Sequence, residues 1–146
     1  MTKSIDEARE TVRTIYQAFN SADLATIEAT VRDNFAPEVV VREPESLPWG
    51  GVYEGRDLVM KMMAGLTDPT SPIDAKNLVV DQLFASTEGD TIHIVADASF
   101  PWHGATSSIP MRALEWFSLR KGKVVEVQVF LWDAAAALAA LGSDSR

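Results

Sequence analysis

The chain has 146 residues, 47% apolar and 23% charged, a length and balance that suit one globular domain, residues 1–146, with a substantial core. Acidic residues outnumber basic ones 21 to 13, for a net charge of -8. With no Lys or Arg run to neutralise a phosphate backbone, nucleic acid is excluded as the expected partner. The absence of cysteine excludes disulfides, thiolate nucleophiles and Cys-ligated metals.

Ser4-Ile5-Asp6-Glu7 has the form of a capping box and predicts that the first helix starts there. Ile5, Ala8, Val12, Ile15 and Phe19 follow at spacings of three and four, the buried stripe of an amphipathic helix. Asn20 and Ser21 end it. Asp23 caps a second helix with apolar positions Leu24, Ile27 and Val31, and Pro37 marks the stop beyond it. From Glu38 the period becomes two, so Val39, Val41 and Glu43 share one face of a short strand ending at Pro44. Residues 44–55 read as a loop containing Trp49 and Tyr53. A third helix from Arg56 to about Gly65 carries Val59, Met62, Met63 and Leu66 on its apolar side.

Beyond Pro72 the chain reads as four strands. Their turns are Glu88-Gly89-Asp90, His103-Gly104 and Lys121-Gly122-Lys123, so the strands are consecutive and antiparallel. Asp133 caps a last helix, residues 134–141, with Gly142 at its stop. That Ala-rich run is the longest apolar stretch and is far shorter than the ~20 residues of a membrane span. The first ten residues lack the apolar core of a secretion signal, and the expectation is a cytoplasmic protein. Helices followed by a meander of long strands predict an α+β fold: helices on one face of a curved sheet, with a hollow between helix 1, helix 3 and the sheet.

Two acids stand out against this frame. In the strand from Ser107 to Arg120 the odd positions Ile109, Met111, Ala113, Glu115, Phe117 and Leu119 form an apolar face interrupted only by Glu115. A carboxylate there loses hydration, which favours its neutral form and makes a proton donor or a poised base. Glu43 continues the inner face of Val39 and Val41 in the same way. The plainer alternative for both is a solvated strand end or an ion pair with Arg42, Arg56 or Arg112. His103 is either a second acid or base or a solvated turn residue. With no ligand spacing between His93 and His103, no metal site is expected. Met62, Met63 and Met111 read as adaptable lining or core. The motifs G-x-S-x-G, G-x-G-x-x-G and the P-loop are absent, which leaves proton transfer without a cofactor as the simplest chemistry. Leu114, Trp116, Phe130 and Trp132 fall on the outer face, where they can meet a second copy of the chain.

The segment Phe35-Ala36-Pro37-Glu38-Val39-Val40-Val41-Arg42-Glu43-Pro44 resembles the first strand of the SnoaL-like and ketosteroid isomerase-related branch of the nuclear transport factor 2-like superfamily. Leu114-Glu115-Trp116-Phe117 with Lys121-Gly122-Lys123-Val124-Val125 resembles that branch's strand bearing a second pocket acid. Asn20-Ser21-Ala22-Asp23-Leu24 resembles its turn between helices 1 and 2, and Gly51-Val52-Tyr53-Glu54-Gly55-Arg56 its lead into helix 3. The resemblance implies a cone of three N-terminal helices on a strongly curved, mostly antiparallel sheet with a short C-terminal helix, assembled as a homodimer. It also implies a small apolar organic substrate, with no cofactor and no metal. Glu43 takes the place of the proton-shuttling acid, and Glu115 that of a neutral donor to an oxyanion. The reaction would be an isomerisation, an aldol-type cyclisation, a dehydration or an epoxide opening; a non-catalytic binding or assembly module of the same fold is the rival.

The implied pocket takes Ile15, Tyr16 and Phe19 from helix 1, Trp49 and Tyr53 from the loop, and Val59 and Met63 from helix 3. The strands add Phe100, Trp102 and His103, then Met111, Ala113 and Phe117, then Val129 and Leu131. One position departs from the family: Ile15 stands where its oxyanion tyrosine would be. Tyr16 is the next residue, about 100° further round the helix, which leaves its reach to the pocket open and weighs against steroid isomerisation.

Overall fold

The computed structural model describes residues 2–142. Helix α1 (Thr2–Ser21) begins before the capping box, so Ser4 and Glu7 lie inside its first turns and no box forms. No Gly or Pro precedes Ser4 to stop the helix extending backwards. Its buried residues include Ala8, Val12, Ile15, Tyr16 and Phe19, a stripe wide enough to hold two neighbouring positions. Ala22 adopts a left-handed conformation with φ 49° and turns the chain into α2 (Leu24–Asn34). The Asp23 carboxylate accepts from the Thr26 amide at 3.0 Å and caps α2 as expected. Ile27 and Val31 are buried on α2, whereas Leu24 is exposed.

Strand β1 (Phe35–Glu43) begins three residues before the expected Glu38 and contains Pro37. The proline falls where the pairing register shifts between Phe35 and Val40, a site that tolerates the missing amide donor. Within the segment read as loop lies a short strand, β2 (Gly51–Glu54), antiparallel to β1. Helix α3 (Arg56–Ala64) follows, then 3-10 turns at Gly65–Thr67 and Ala75–Asn77. Strands β3 (Val79–Glu88), β4 (Thr91–His103), β5 (Ser108–Arg120) and β6 (Lys123–Leu131) form the expected meander. Lys121 and Gly122, with φ 51° and 78°, make the tight two-residue turn that suits twisted strands.

The sheet order is β2-β1-β6-β5-β4-β3, with β1 parallel to β6 and every other pair antiparallel. Register shifts in β1, β3 and between Ser118 and Leu119 bend the sheet around the helices. The main core joins the inner faces of α1, α2 and α3 to Val39, Val41, Ile94, Phe117, Val124 and Val127. Burying each such aliphatic or aromatic side chain contributes about 1.5–3 kcal/mol. A second cluster of Leu47, Phe100, Trp102, Met111, Ala113 and Ala137 closes the far end. There the short helix α4 (Ala134–Ala140) docks, capped by Asp133. The Trp102 indole donates to the Ala137 carbonyl at 3.1 Å, and Gly104 leaves no room for a side chain against Ala140.

Candidate active site

A cavity of about 400 Å³ opens between the inner face of the sheet, α1, α3 and the loops at residues 44–50 and 65–78. Glu115 sits mid-strand in β5, flanked across the sheet by Ala96 and Val129. Glu43 sits at the end of β1 opposite Gly51. Both carboxylates line the cavity, and period two puts them there among apolar neighbours. The three arginines offered as alternative partners are engaged elsewhere. Arg42 pairs with Glu126 at 2.6 Å, Arg112 with Asp97 at 2.8 Å, and Arg56 donates to the carbonyls of Arg32 and Phe35.

Local folding fixes each acid. The Leu47 amide donates to the Pro44 carbonyl and the Gly50 amide to the Leu47 carbonyl, at 3.1 and 2.8 Å, which coils residues 44–50 tightly. A Cβ at Gly50 would run into the Pro44 carbonyl and the Glu45 backbone. The coil brings Trp49 over the cavity beside Glu43, where its indole opposes the rise of that acid's pKa, and the Tyr53 hydroxyl donates to the Trp49 carbonyl. Trp49 also packs on Trp102, with ring centroids 5.7 Å apart.

Glu115 is held from behind by Tyr16, whose hydroxyl donates to Glu115 Oε1. The Tyr16 ring meets Phe19 and Phe117 edge-on at 5.7 and 5.8 Å. Burial raises the Glu115 pKa above the ordinary 4.5, and the Tyr16 hydrogen bond opposes that rise. Burial, with the charge of Glu115 second, pushes Glu43 up to about 8, against the opposing bond from Trp49. Tyr16 is raised well above its usual value by burial and by the Glu115 charge, so it remains a donor. Among the described residues no Lys, Arg or His lines the cavity, so no cation there offsets the desolvation of the acids.

Phe19, Trp49, Tyr53 and Met63 line the cavity, as do Phe100, Trp102, Ala113, Phe117, Val129 and Leu131. Five expected lining residues do not. Ile15 and Val59 are fully buried in the helix-sheet core, because they lie at the centres of their helices' packed stripes. Met111 is consumed by the second cluster beneath α4. His103 lies exposed at the hairpin end, between Ser108 at 2.6 Å and Asp74 at 3.1 Å, because its strand has already run past the cavity. Tyr16 forms no part of the cavity wall yet reaches Glu115 through it, so the rotation of 100° does not carry it out of range.

Several lining residues went unread in the sequence: Leu47, Asp68, Ile73 and Leu78 among them. They belong to the irregular stretches around 44–50 and 65–78, where no periodicity assigns a facing. Asn20 donates to the carbonyls of Ala75 and Leu78 at 2.8 and 2.9 Å and ties the second stretch to α1. Among the described residues no three His, Asp or Glu side chains are grouped to hold a metal ion, and no helix is long and apolar enough to cross a membrane.

Helices over a curved six-stranded sheet, with a cavity between the layers, define an α+β cone of the nuclear transport factor 2-like class. The chain belongs to the SnoaL-like domain family, whose sequence profile matches residues 12–127. No curated protein sequence matches it. Among solved structures it is similar to a protein assigned as a SnoaL-like polyketide cyclase from Jannaschia sp. CCS1, at 17% identity and TM-score 0.68 over 93% of this chain and 92% of that one. TerC, co-crystallised with polyporic acid, is 16% identical with TM-score 0.67 over 93% and 98%. A protein of ketosteroid isomerase-like fold from Catenulispora acidiphila, in complex with trimethylamine, is 16% identical with TM-score 0.64 over 91% and 92%. At these identities the likeness establishes the fold.

Proposed function

We propose that the protein is a cofactor-independent acid/base enzyme acting on a small apolar organic molecule, with Glu43 and Glu115 as its catalytic pair. The observation that carries this reading is two carboxyl groups facing an apolar cavity that, among the described residues, no basic side chain lines. A passive binder of a neutral ligand gains nothing from the desolvation of both. The complexes of structural neighbours with polyporic acid and trimethylamine support a small organic ligand.

Burial raises both carboxyl groups, Glu43 to about 8 with Glu115 beside it as a second cause, so the two acids compete for charge within one cavity. Glu115, braced by Tyr16, takes a proton from a carbon beside a substrate carbonyl; Glu43 donates to the oxygen on which charge develops and then delivers the proton. Isomerisation, cyclisation or dehydration would follow from where the proton is returned.

Hydrogen–deuterium exchange at the acidic carbon of 2-tetralone in D2O, followed by NMR, tests the reading. The wild type is expected to accelerate exchange over buffer, with activity falling as pH rises through 8. Exchange that increases through pH 8 would make resting Glu43 the base instead. Unchanged rates in both Glu43→Gln and Glu115→Gln would leave a binding module as the better account.

We further propose that a second copy of the chain covers the outer face, where Leu114 and Phe130 are cross-strand partners and Trp132 is 80% exposed. Light scattering that reports a monomer at high concentration would contradict this.

A further inference from the structure

The wall of the cavity has an unusual chemical bias. Its charged groups are all acidic: Glu43, Glu115 and, at the exposed mouth, Asp68. Its large surfaces are aromatic, with Phe19, Trp49, Tyr53, Phe100, Trp102 and Phe117 facing inward from five different segments of the chain. A neutral apolar ligand fills such a space but leaves the carboxylates without their lost hydration. An anion would meet two acids with no counter-charge. A cation restores the missing electrostatic partner and is attracted to the negative faces of the rings.

From this composition we infer that the cavity selects a lipophilic organic ammonium, of about a dozen non-hydrogen atoms if the volume is filled at the ~30 Å³ each water occupies in the liquid. The inference rests on the same placement of Glu43 and Glu115 as the acid/base reading and names the ligand class for that site. The net charge of -8 and the ionised Asp68 at the mouth, held low by its bonds from Thr70, favour the approach of cations.

Binding would also change the site. The groups facing Glu43 are Glu115 on β5, with Tyr16 of α1 behind it, Trp49 and Tyr53 beside it and Asp68 at the mouth; none of them is cationic. An ammonium seated between the carboxyls displaces the Glu43 proton to solvent: neutral Glu43 and the cation become a carboxylate–ammonium pair plus one hydrated proton. The O–H electron pair stays on the carboxylate, and the buffer receives the proton.

Three probes of one shape test this in the purified full-length protein: phenyltrimethylammonium, tert-butylbenzene and benzenesulfonate. Affinities are read by ligand-detected NMR and calorimetry. The cation is expected to bind at least about tenfold tighter than the neutral probe, and the sulfonate not at all. Affinity for the cation should rise between pH 6 and 9, with release near pH 7 of up to one proton, detected as a heat that depends on the buffer. Glu43→Gln should abolish the proton release, and Glu115→Gln should weaken the preference for the cation. Equal or tighter binding of tert-butylbenzene, or no binding of the cation, would overturn the inference. Because tetralone exchange is measured separately, exchange with a neutral preference overturns only the cation class, whereas a cation preference without exchange overturns only the catalysis.

Discussion

The two faces of strands β4 and β5 handle acids in opposite ways. On the outer face Asp97 accepts two hydrogen bonds from Arg112, at 3.0 and 2.8 Å, and its pKa is lowered by that guanidinium. One residue before Asp97 on β4, Ala96 pairs with Glu115 of β5 on the inner face, and Glu115 there has no cation and a raised pKa. The residue types are nearly the same; only parity differs. A carboxylate turned outward is stabilised as an ion, whereas one turned inward is stabilised as an acid and becomes available for proton transfer.

Altering the inner acids should have the largest effect. Glu115→Gln and Glu43→Gln are each expected to slow tetralone exchange by about 10²-fold or more, the usual contribution of a positioned acid or base. Gly50→Ala comes next. Its methyl group has no space in the coil that positions Trp49, so exchange should fall and thermal stability should drop by about 1–3 kcal/mol, read by calorimetry. Tyr16→Phe removes the bond that opposes the rise in the Glu115 pKa. The Glu115 pKa should rise further, exchange should slow by about tenfold, and stability should fall by about 1–2 kcal/mol for the lost buried partner.

The effect of pH on Glu43 is subtler. Its folded pKa is raised from 4.5 to about 8, so its contribution to stability is complete below pH 4.5 and is lost as pH rises through 8. Glu43→Gln, neutral throughout, should match the wild type near pH 5 and melt higher at pH 9. Equal melting temperatures at pH 9 would contradict burial of this acid. The outer face should respond least: Arg112→Gln is expected to leave exchange unchanged and to lower the melting temperature slightly, more at low salt than at high.

Local signals account for what the sequence made legible. The alternation through Ile109, Met111, Ala113 and Glu115 set the facing of β5, and Glu88-Gly89-Asp90 and Lys121-Gly122-Lys123 marked hairpins, because each depends on neighbours in the chain. The parallel pairing of β1 with β6 joins residues more than 80 positions apart, which no local period encodes. The strand Gly51–Glu54 is too short to show alternation and exists because β1 offers it an edge. The reach of Tyr16 stayed open because α1 reads as a narrow stripe; the concave sheet wraps enough of the helix to bury Ile15 and Tyr16 together. The cavity wall from Asp68 to Leu78 is held by Asn20, a tertiary contact invisible from the loop's own residues.

Carboxyl carbon NMR titration of the protein labelled at glutamate, with Glu43→Gln and Glu115→Gln supplying the assignments, measures the two acids directly. Glu43 should titrate near 8 and Glu115 above the ordinary glutamate value, with Glu43 shifting downward in the Glu115→Gln variant as the neighbouring charge disappears. Two ordinary titrations near 4.5, independent of each other, would mean that neither acid is desolvated and that the cavity holds no proton-transfer pair.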